Sequence, residues 1–203
     1  MKNRKWLILA LSIVFIILTI LVKLNMLTSF DNVFYNLIAF DINDLLINIY
    51  KLITFLGSTL FIISMCVFFL ILFIILKKKN HGLIVTGVVI ISTLINNLIK
   101  IIIARERPNV ISFVTEHSYS FPSGHTMAAT TLYGILIYFV LKINMNKKLK
   151  IALSVVLGLL PVLVAFSRVY LGAHFMSDVI GAIIMSTILL LIETYYIDKK
   201  KWI

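Results

Sequence analysis

A histidine and a carboxylate four residues apart form the clearest chemical pair in this sequence. His174 and Asp178 belong to the stretch Ser-Arg-Val-Tyr-Leu-Gly-Ala-His-Phe-Met-Ser-Asp at residues 167–178. At this spacing on a helix, the carboxylate reaches one ring nitrogen of His174 and fixes the tautomer that leaves the other nitrogen free. The pair is typical of a prepared nucleophile or base. The alternative is a hydrogen bond that only ties the start of a helix.

Permanent cations lie near this pair and at the end of another apolar run. Lys100 and Arg107 are seven residues apart, about two helical turns, and project in the same direction if the helix continues that far. Pro108 disfavours helix at Arg107 and predicts where the chain leaves the helix. Snorkelling at a helix end is the alternative for these two cations. Arg168 precedes the His–Asp pair, and a purely structural pair leaves it unexplained.

A Pro-Ser-Gly-His stretch at residues 122–125 opens a further apolar run. Ser123 suits the N-cap of a helix, and Gly124 lets the backbone approach a ligand closely. A helix N-terminus presents free N–H groups and the positive end of the helix dipole, which together favour an anion. The alternative is a well-capped helix with an interfacial histidine, His125.

The elements that must position these residues are membrane helices. The chain has 203 residues, of which 61% are hydrophobic and 13% charged, against roughly 45–50% and 25% in soluble domains. This composition excludes a soluble globule and a disordered chain. At about 20 apolar residues per span, the sequence predicts one all-α domain over residues 1–203, a bundle of six transmembrane helices. The predicted spans are 6–22, 52–76, 82–99 with a continuation to about 103, 126–141, 151–167 and 175–197.

The basic residues predict the orientation of the bundle. The net charge is +11, but the cations occur in small groups between apolar runs, which argues against a nucleic-acid partner. Six spans place 13 of the 19 Lys and Arg residues on one side. The positive-inside rule makes that side cytoplasmic, with both termini inside and the polar residues at the outer face of the plasma membrane. The first span lacks a small-x-small cleavage site and is interpreted as uncleaved. The inner group comprises Lys2, Arg4, Lys5, Lys77, Lys78, Lys79, Lys142, Lys147, Lys148, Lys150, Lys199, Lys200 and Lys201.

The segment between the first two spans, residues 26–51, is amphipathic. Apolar residues from Phe30 to Ile49 recur at helical spacing, with acidic residues such as Asp31 between them. We expect a helix along the outer membrane interface. It would be either a surface strap without a role in chemistry or a lid or guide for a lipid.

The order of the spans brings the polar groups together. The third and fifth spans end, and the fourth and sixth begin, on the outer side, so the three groups lie at one depth. Polar residues at membrane depth are costly and are by default candidates for function. Lys100, Arg107 and Arg168, together with a helix N-terminus and two histidines, would bind a compact dianion. Phosphate fits this description best.

The complete pattern resembles the signature of the type 2 phosphatidic acid phosphatase (PAP2) superfamily. It reads Lys-x6-Arg-Pro, Pro-Ser-Gly-His and Ser-Arg-x5-His-x3-Asp between Lys100 and Asp178, and it matches at every signature position. The small size and six-span layout resemble bacterial phosphatidylglycerophosphate and undecaprenyl-diphosphate phosphatases. The resemblance implies a membrane enzyme that hydrolyses the terminal phosphate of such a lipid, or of phosphatidic acid, without a metal or other cofactor.

The resemblance also implies a role for each matching residue. His174 would be the nucleophile that forms a phosphohistidine, Asp178 would orient it, and His125 would protonate the leaving oxygen. Cationic side chains would supply the charge stabilisation that Mg²⁺ supplies in other phosphoryl transfers, so no metal is expected. The residues expected to hold the phosphoryl oxygens are Lys100, Arg107, Ser123, Gly124 and Arg168.

Other functions remain open from the sequence. A phosphotransferase of the same family would pass the phosphoryl group to another lipid, and the motif does not distinguish it from a hydrolase. A metal-dependent hydrolase could use His125, His174 and Asp178, but the neighbouring cations would repel the metal. A metal site built from several thiolates is excluded, because Cys66 is the one cysteine of the sequence. A serine hydrolase on Ser123 lacks the Gly-x-Ser-x-Gly elbow. A non-enzymatic anion-binding membrane protein would leave the His–Asp pair without a use and has no polar path to the inner face.

The pattern does not identify the lipid or the oligomeric state. We expect the headgroup and chain to contact residues such as Tyr119, Phe121 and Tyr170, and the amphipathic segment 26–51. Cys66 lies inside an apolar run and is expected to be packing material.

Overall fold

The computed structural model describes residues 2–39 and 41–200. Met1, Phe40 and residues 201–203, with the predicted inner cation Lys201, lie outside the described residues. Within this part of the chain the secondary structure consists of helices without strands. In chain order the helices are α1 (Lys2–Lys23), α2 (Thr28–Ile38), α3 (Asp44–Phe55), α4 (Thr59–Ile75), α5 (Lys79–Ile103), α6 (Gly124–Lys142), α7 (Lys147–Tyr170) and α8 (Met176–Lys200).

Six stretches of helix among the described residues are long and apolar enough to cross a membrane. Five of them are α1, α5, α6, α7 and α8, and the sixth is formed by α3 and α4 together over Asp44–Ile75. Their outward surface is apolar, with Trp6, Ile101 and Leu159 more than half exposed. Such a surface is expected where helices face lipid. The predicted all-α fold with six spanning helices is confirmed.

The second span differs from its prediction. The sequence predicts one helix over residues 52–76, whereas the structure divides this region at residues 56–58. Ser58 caps α4, because its side chain accepts a hydrogen bond from the backbone N–H three residues later. A β-carbon at Gly57 would come within 2.8 Å of the His125 carbonyl oxygen. The break therefore brings the backbone into close contact with the start of α6.

The amphipathic segment is also divided, into α2 and α3 rather than one helix. Asn43 caps α3 by accepting a hydrogen bond from the backbone N–H of Leu46 at 3.0 Å. The α3 helix continues toward the second span, whereas α2 packs against α7 and α8. Asp31 on α2 is 1% exposed. This acidic residue of the amphipathic segment therefore lies inside the protein rather than in water.

The α6 helix is central to the bundle. It packs against α4, α5, α7 and α8, while α1 packs against α8. Leu132 and Ile135 on α6 are completely buried, and Cys66 contributes its thiol to the same apolar core, as predicted. Buried polar side chains gather where α5 and α7 finish and α6 and α8 begin, which we call the polar end of the bundle. They include Lys100, Ser120, Ser123, Arg168, His174, Ser177 and Asp178.

Candidate active site

His174 lies on the short connection between α7 and α8. Gly172 allows this turn, because its φ of +69° is in the left-handed region and a β-carbon there would collide with the Ile111 carbonyl oxygen. The backbone N–H groups of Ala173 and His174 both donate to the Arg168 carbonyl oxygen, at 3.0 and 3.3 Å. The turn carries His174 back over the end of α7 and leaves it 2% exposed.

The His174 ring has a different neighbour at each nitrogen. Nδ1 lies 3.3 Å from Asp178 Oδ2, and Nε2 lies 3.4 Å from a guanidinium nitrogen of Arg107. A guanidinium only donates hydrogen bonds and an ionised carboxylate only accepts them, so Nδ1 carries the proton and Nε2 keeps its lone pair. The contact predicted from the four-residue spacing is present, with His174 just before α8 rather than inside it.

The protonation state of His174 follows from its burial. Burial lowers the pKa of His174 to about 3, and this effect exceeds the opposing effect of the Asp178 carboxylate. The imidazole is therefore neutral at physiological pH. The neutral ring is the form in which Nε2 can act as a nucleophile.

The Asp178 carboxylate accepts hydrogen bonds on both of its oxygens. Besides its contact with His174, Oδ2 accepts from the backbone N–H of Phe175 at 2.9 Å and from the Ser120 hydroxyl. The Phe175 bond is half of a capping box at the start of α8. Oδ1 accepts from Arg105 at 2.6 Å. These partners fix the carboxylate beside the imidazole.

Arg105 connects this carboxylate to helix α2. Its second terminal nitrogen donates to Asp31 Oδ2 at 2.7 Å, and its guanidinium lies 3.9 Å from the centroid of the Phe175 ring. The other oxygen of Asp31 accepts from the backbone N–H of Ser177 at 2.8 Å. The contacts form a network in which each charge has an opposite charge beside it. We call Asp31, Arg105, Ser120, Ser177 and Asp178 the closed cluster.

A cavity of about 540 Å³ opens beside His174. It continues between α4 and α5 toward the other end of the bundle, from Thr59 as far as Leu70 on α4, and its walls there are largely apolar. At 1.5 Å per residue this groove runs about 16 Å along α4. At the polar end the cavity is lined by Lys100, Arg107, Glu116, Ser118, Gly124, His125 and His174.

The Pro-Ser-Gly-His stretch begins α6, as predicted. Ser123 is the N-cap, and its hydroxyl accepts from the backbone N–H of Thr126. The backbone N–H of Ser123 donates to the Asp178 carbonyl oxygen at 3.2 Å, and Ser123 is completely buried. Its hydroxyl therefore serves the helix start and does not line the cavity. Gly124 and His125 do line it, and the first N–H groups of a helix have no acceptor within the helix.

Lys100 and Arg107 reach the cavity from different structures. Because α5 ends at Ile103, Arg107 belongs to the following loop, and the helix does not continue to it as the spacing argument assumed. Lys100 donates to the Tyr119 carbonyl oxygen, and Arg107 donates to the Ala173 carbonyl oxygen at 2.7 Å. Main-chain carbonyl groups thus hold both cations at the cavity without neutralising their charge.

Arg168 lies behind the cavity wall and is 1% exposed. One of its terminal nitrogens donates to Thr54 Oγ1 at 2.9 Å, and the other donates to Glu116 Oε1. The Glu116 carboxylate also lies 3.5 Å from Arg107 and 3.7 Å from Nδ1 of His125. It therefore connects three signature residues. We call Lys100, Arg107, Glu116, His125 and Arg168 the open cluster.

Sequence reasoning missed five residues of these clusters: Asp31, Arg105, Ser120, Ser177 and Glu116. The available signal was Arg105 itself, a cation between Lys100 and Arg107 that the family signature does not use. Its partner Asp31 is 74 residues away in the sequence. No local pattern predicts such a pairing.

Two of the three aromatic residues expected to contact the lipid have a different role. Phe121 is completely buried and stacks on Phe15 with ring centroids 6.0 Å apart. Tyr170 is 1% exposed, and its hydroxyl donates to the Asp41 carbonyl oxygen at 2.8 Å. Neither presents a surface to a substrate, so the prediction is wrong for both. Tyr119 is 46% exposed.

The two candidate histidines face different carboxylates. His125 is near Glu116, whereas His174 contacts Asp178. Among residues 2–39 and 41–200, no three His, Cys, Asp or Glu side chains are grouped closely enough to hold a metal ion. The two-histidine, one-carboxylate set considered from the sequence is therefore not formed by the described residues.

Comparison with known proteins defines the class of this chain. The PAP2 superfamily matches residues 81–202, which is more than half of the sequence. The chain therefore belongs to the PAP2 superfamily. Phosphatidylglycerophosphatase B from Bacillus subtilis (strain 168) is 34% identical to it over 150 residues, covering 73% of this chain and 74% of that protein.

Solved structures show the same fold. The crystal structure of a transmembrane PAP2-type phosphatidylglycerolphosphate phosphatase from Bacillus subtilis has a TM-score of 0.87 at 31% identity, covering 95% of this chain and 96% of that one. The crystal structure of Aquifex aeolicus LpxE has a TM-score of 0.60 at 22% identity, covering 80% and 93%. With its six apolar stretches of helix, the chain is a multi-pass membrane protein of a phosphatase family.

Proposed function

We propose that this protein removes the terminal phosphate from a membrane lipid phosphate or diphosphate through a phosphohistidine intermediate. The observation that carries the proposal is the neutral His174 ring, with Nδ1 on Asp178 and Nε2 beside Arg107 at a cation-lined cavity. Membership of the PAP2 superfamily supports it. Phosphoryl transfer depends mainly on positioning and charge stabilisation, and this arrangement supplies both.

His174 is the nucleophile in the first half of the reaction. Nε2 attacks phosphorus, a nitrogen–phosphorus bond forms, and the bond between phosphorus and the lipid oxygen breaks. Asp178 stabilises the positive charge that develops on the ring as Nε2 becomes bonded. The phosphoryl oxygens are held by Lys100, Arg107 and Arg168, and by the N–H groups at the start of α6, at Gly124 and His125, with Ser123 holding that helix start in place.

His125 is the proposed general acid. Its ring lines the cavity at the first turn of α6, and a bound phosphate dianion favours its protonated form. It gives a proton to the leaving lipid oxygen. In the second half His125 takes a proton from water, the water oxygen attacks phosphorus, and the nitrogen–phosphorus bond to His174 breaks. Inorganic phosphate and the free enzyme result.

The groove between α4 and α5 supports a lipid substrate. It joins the polar end of the cavity and extends about 16 Å beside an apolar wall, which suits a hydrocarbon chain whose phosphate lies at His174. Phosphatidylglycerophosphate is the first candidate because the Bacillus subtilis relative is named for that activity. Phosphatidic acid and undecaprenyl diphosphate offer the same terminal phosphate. The cationic side chains of the open cluster, Lys100, Arg107 and Arg168, would hold this phosphate without a metal ion.

We place the polar end at the outer face of the membrane, with both termini cytoplasmic. The asymmetry of Lys and Arg supports this orientation. Thr115 and Lys147 are exposed on opposite ends of the bundle. In a Cys66→Ala background, Thr115→Cys should react with an impermeant thiol reagent on intact cells and Lys147→Cys should not. Labelling of Lys147→Cys alone would show that the orientation is the reverse of the proposed one.

The purified full chain should be tested on a panel of phosphatidylglycerophosphate, phosphatidic acid, undecaprenyl diphosphate and diacylglycerol diphosphate, with and without EDTA. The expected result is release of inorganic phosphate that persists in EDTA. Movement of the phosphoryl group to an added lipid alcohol, without free phosphate, would identify a phosphotransferase. Phosphate binding without turnover of any substrate would identify a non-enzymatic anion-binding protein.

A further inference from the structure

The Glu116 side chain lies between Arg168 and the cavity. Its Oε1 accepts a hydrogen bond from Arg168 and lies 3.7 Å from His125 Nδ1, and its Oε2 lies 3.5 Å from Arg107. Glu116 lines the cavity, whereas Arg168 is 1% exposed and does not line it. Any ligand in the cavity therefore meets the carboxylate before it meets the guanidinium of Arg168.

A carboxylate and a phosphoryl group compete for the same donors of an arginine. Both place oxygen atoms against the guanidinium, and one N–H cannot serve both fully. The Nε–H of Arg168 is buried and has no acceptor among residues 2–39 and 41–200. The two oxygens of Glu116 thus leave a donor unsatisfied, which a group with three terminal oxygens can relieve.

The charges at the polar end favour replacement of the Glu116 carboxylate by phosphate over the presence of both at once. The two clusters contain four cations, Lys100, Arg105, Arg107 and Arg168, and three carboxylates, which with neutral histidines gives one net positive charge. A phosphate dianion added beside Glu116 would place two anions against the guanidinium of Arg168, where they repel each other. With the Glu116 carboxylate withdrawn to solvent, the dianion contacts the arginine alone and this repulsion is removed.

The loop that carries Glu116 is anchored at its ends. The backbone N–H of Phe113 donates to the Leu171 carbonyl oxygen at 3.0 Å, and that of Ser120 donates to the Arg105 carbonyl oxygen at 2.8 Å. The neighbours Thr115 and His117 are exposed. The carboxylate can therefore turn toward water by rotation of its own side chain, while the helices and the anchored loop ends stay in place.

We propose that Glu116 occupies the phosphoryl position of the empty enzyme, competes with phosphate for Arg168 and thereby limits inhibition by the phosphate product. The proposal rests on the proposed function of the site. A lipid phosphate displaces the carboxylate because its chain, held in the α4–α5 groove, adds binding free energy. Inorganic phosphate has no chain, so the return of Glu116 favours its release. Glu116 thereby keeps small phosphate anions from occupying the site at concentrations at which a lipid phosphate still binds.

The direct test is the affinity of the detergent-solubilised full chain for inorganic phosphate, measured by titration calorimetry. Glu116→Gln should bind phosphate about tenfold or more tightly than the unchanged protein, because the competing charge is gone. Glu106→Gln is the matched control, since it removes the same charge from an exposed position of the same loop and should leave the affinity unchanged. Unchanged or weaker phosphate binding by Glu116→Gln would overturn the proposal.

A kinetic test uses para-nitrophenyl phosphate and a long-chain phosphatidic acid as substrates. In Glu116→Gln the inhibition constant of the phosphate product should fall about tenfold with either substrate, and kcat/KM should rise by a similar factor for both, because each substrate displaces the same carboxylate. An unchanged inhibition constant for phosphate would contradict the competition. If Glu116→Gln melts at a much lower temperature than the unchanged protein, Glu116→Ala takes its place with the same expected directions.

The two proposals fail in different ways. Absence of lipid phosphate hydrolysis by the unchanged protein would refute the proposed function. The calorimetric titration does not depend on turnover, so it still reports whether Glu116 and phosphate compete. Hydrolysis by the unchanged protein with no gain in phosphate affinity in Glu116→Gln would refute the competition alone.

Discussion

The closed and open clusters contact opposite nitrogens of the same imidazole and contain similar charged groups, yet their charges are satisfied differently. In the closed cluster the Asp31 and Asp178 side chains are 0% exposed and bind Arg105 at 2.7 and 2.6 Å. In the open cluster Glu116 is 21% exposed; it accepts a hydrogen bond from Arg168, but its contacts with Arg107 and His125 are 3.5 and 3.7 Å long. A saturated network holds its members in place, whereas a loosely satisfied one retains capacity for a ligand.

This difference predicts which substitutions should lower kcat and which should weaken phosphate binding. Removal of one partner from a buried ion pair leaves an uncompensated charge at a cost of about 3–5 kcal/mol, whereas exposed pairs contribute about 0–1 kcal/mol. Changes in the closed cluster should therefore disturb the orientation of His174 and lower kcat. Changes in the open cluster should act mainly on the affinity for phosphate.

Removal of His174 should have the largest effect, because both clusters act through it. His174→Ala should lower turnover by at least about 10⁴-fold and abolish any acid-labile phosphoenzyme trapped by rapid quenching. Binding of inorganic phosphate should persist, since the open cluster is intact. Formation of the phosphoenzyme in this variant would show that another residue is the nucleophile.

The closed cluster can be broken at the pair furthest from the substrate. Arg105→Gln and Asp31→Asn should each lower kcat by about 10²-fold, with little change in KM, because Asp178 loses its fixed position. The double variant should be much less damaged than additive effects predict, since both changes disrupt one network. Additive losses, or losses confined to KM, would separate these residues from the orientation of His174.

The burial of His174 also predicts how stability depends on pH. The pKa of His174 is lowered from 6.5 to about 3, so between these values the unfolded chain takes up a proton that the folded protein does not. Acidification from pH 7 to 5 should therefore destabilise the protein by about 2 kcal/mol through this residue. The melting temperature of His174→Gln should fall less over this interval, and an equal fall would contradict the shift.

The open cluster can be weakened at its most accessible arginine. Arg107→Gln should raise KM and weaken inorganic phosphate binding about tenfold, because one charge-assisted contact is lost. The affinity change should shrink in high salt, since the side chain is 19% exposed. A pure loss of kcat with unchanged phosphate binding would mean that Arg107 belongs functionally with the closed cluster.

His125 allows a smaller but sharper distinction within the open cluster. A lipid monophosphate must expel a basic alkoxide, whereas a lipid diphosphate expels a phosphate whose second pKa is about 6 and needs no proton. His125→Ala should therefore lower kcat/KM more for the monophosphate, by a further factor on the order of ten. Equal losses on both substrates would make His125 a binding or structural residue.

Much of this site could be anticipated from local spacing. Four residues between His174 and Asp178 are enough to bring their side chains together, and Ser123 is a good N-cap wherever the fold places it. Arg107 shows the limit of such arguments. The spacing from Lys100 places both cations on one face only if the helix continues to Arg107. The helix ends at Ile103, and Arg107 reaches the cavity because the carbonyl groups of Ser118 and Ala173 hold it there.

The sequence by itself determined the six spans and the end of the bundle at which the polar groups meet. These properties follow from the length of apolar runs and from the number of membrane crossings, which do not depend on how the helices pack. The break at Gly57, the burial of Phe121 and the pairing of Asp31 with Arg105 were decided only by the tertiary structure. Each depends on contacts between segments far apart in the chain, as does the position of Glu116 over Arg168. A charged residue carries no local signal of which distant partner will neutralise it.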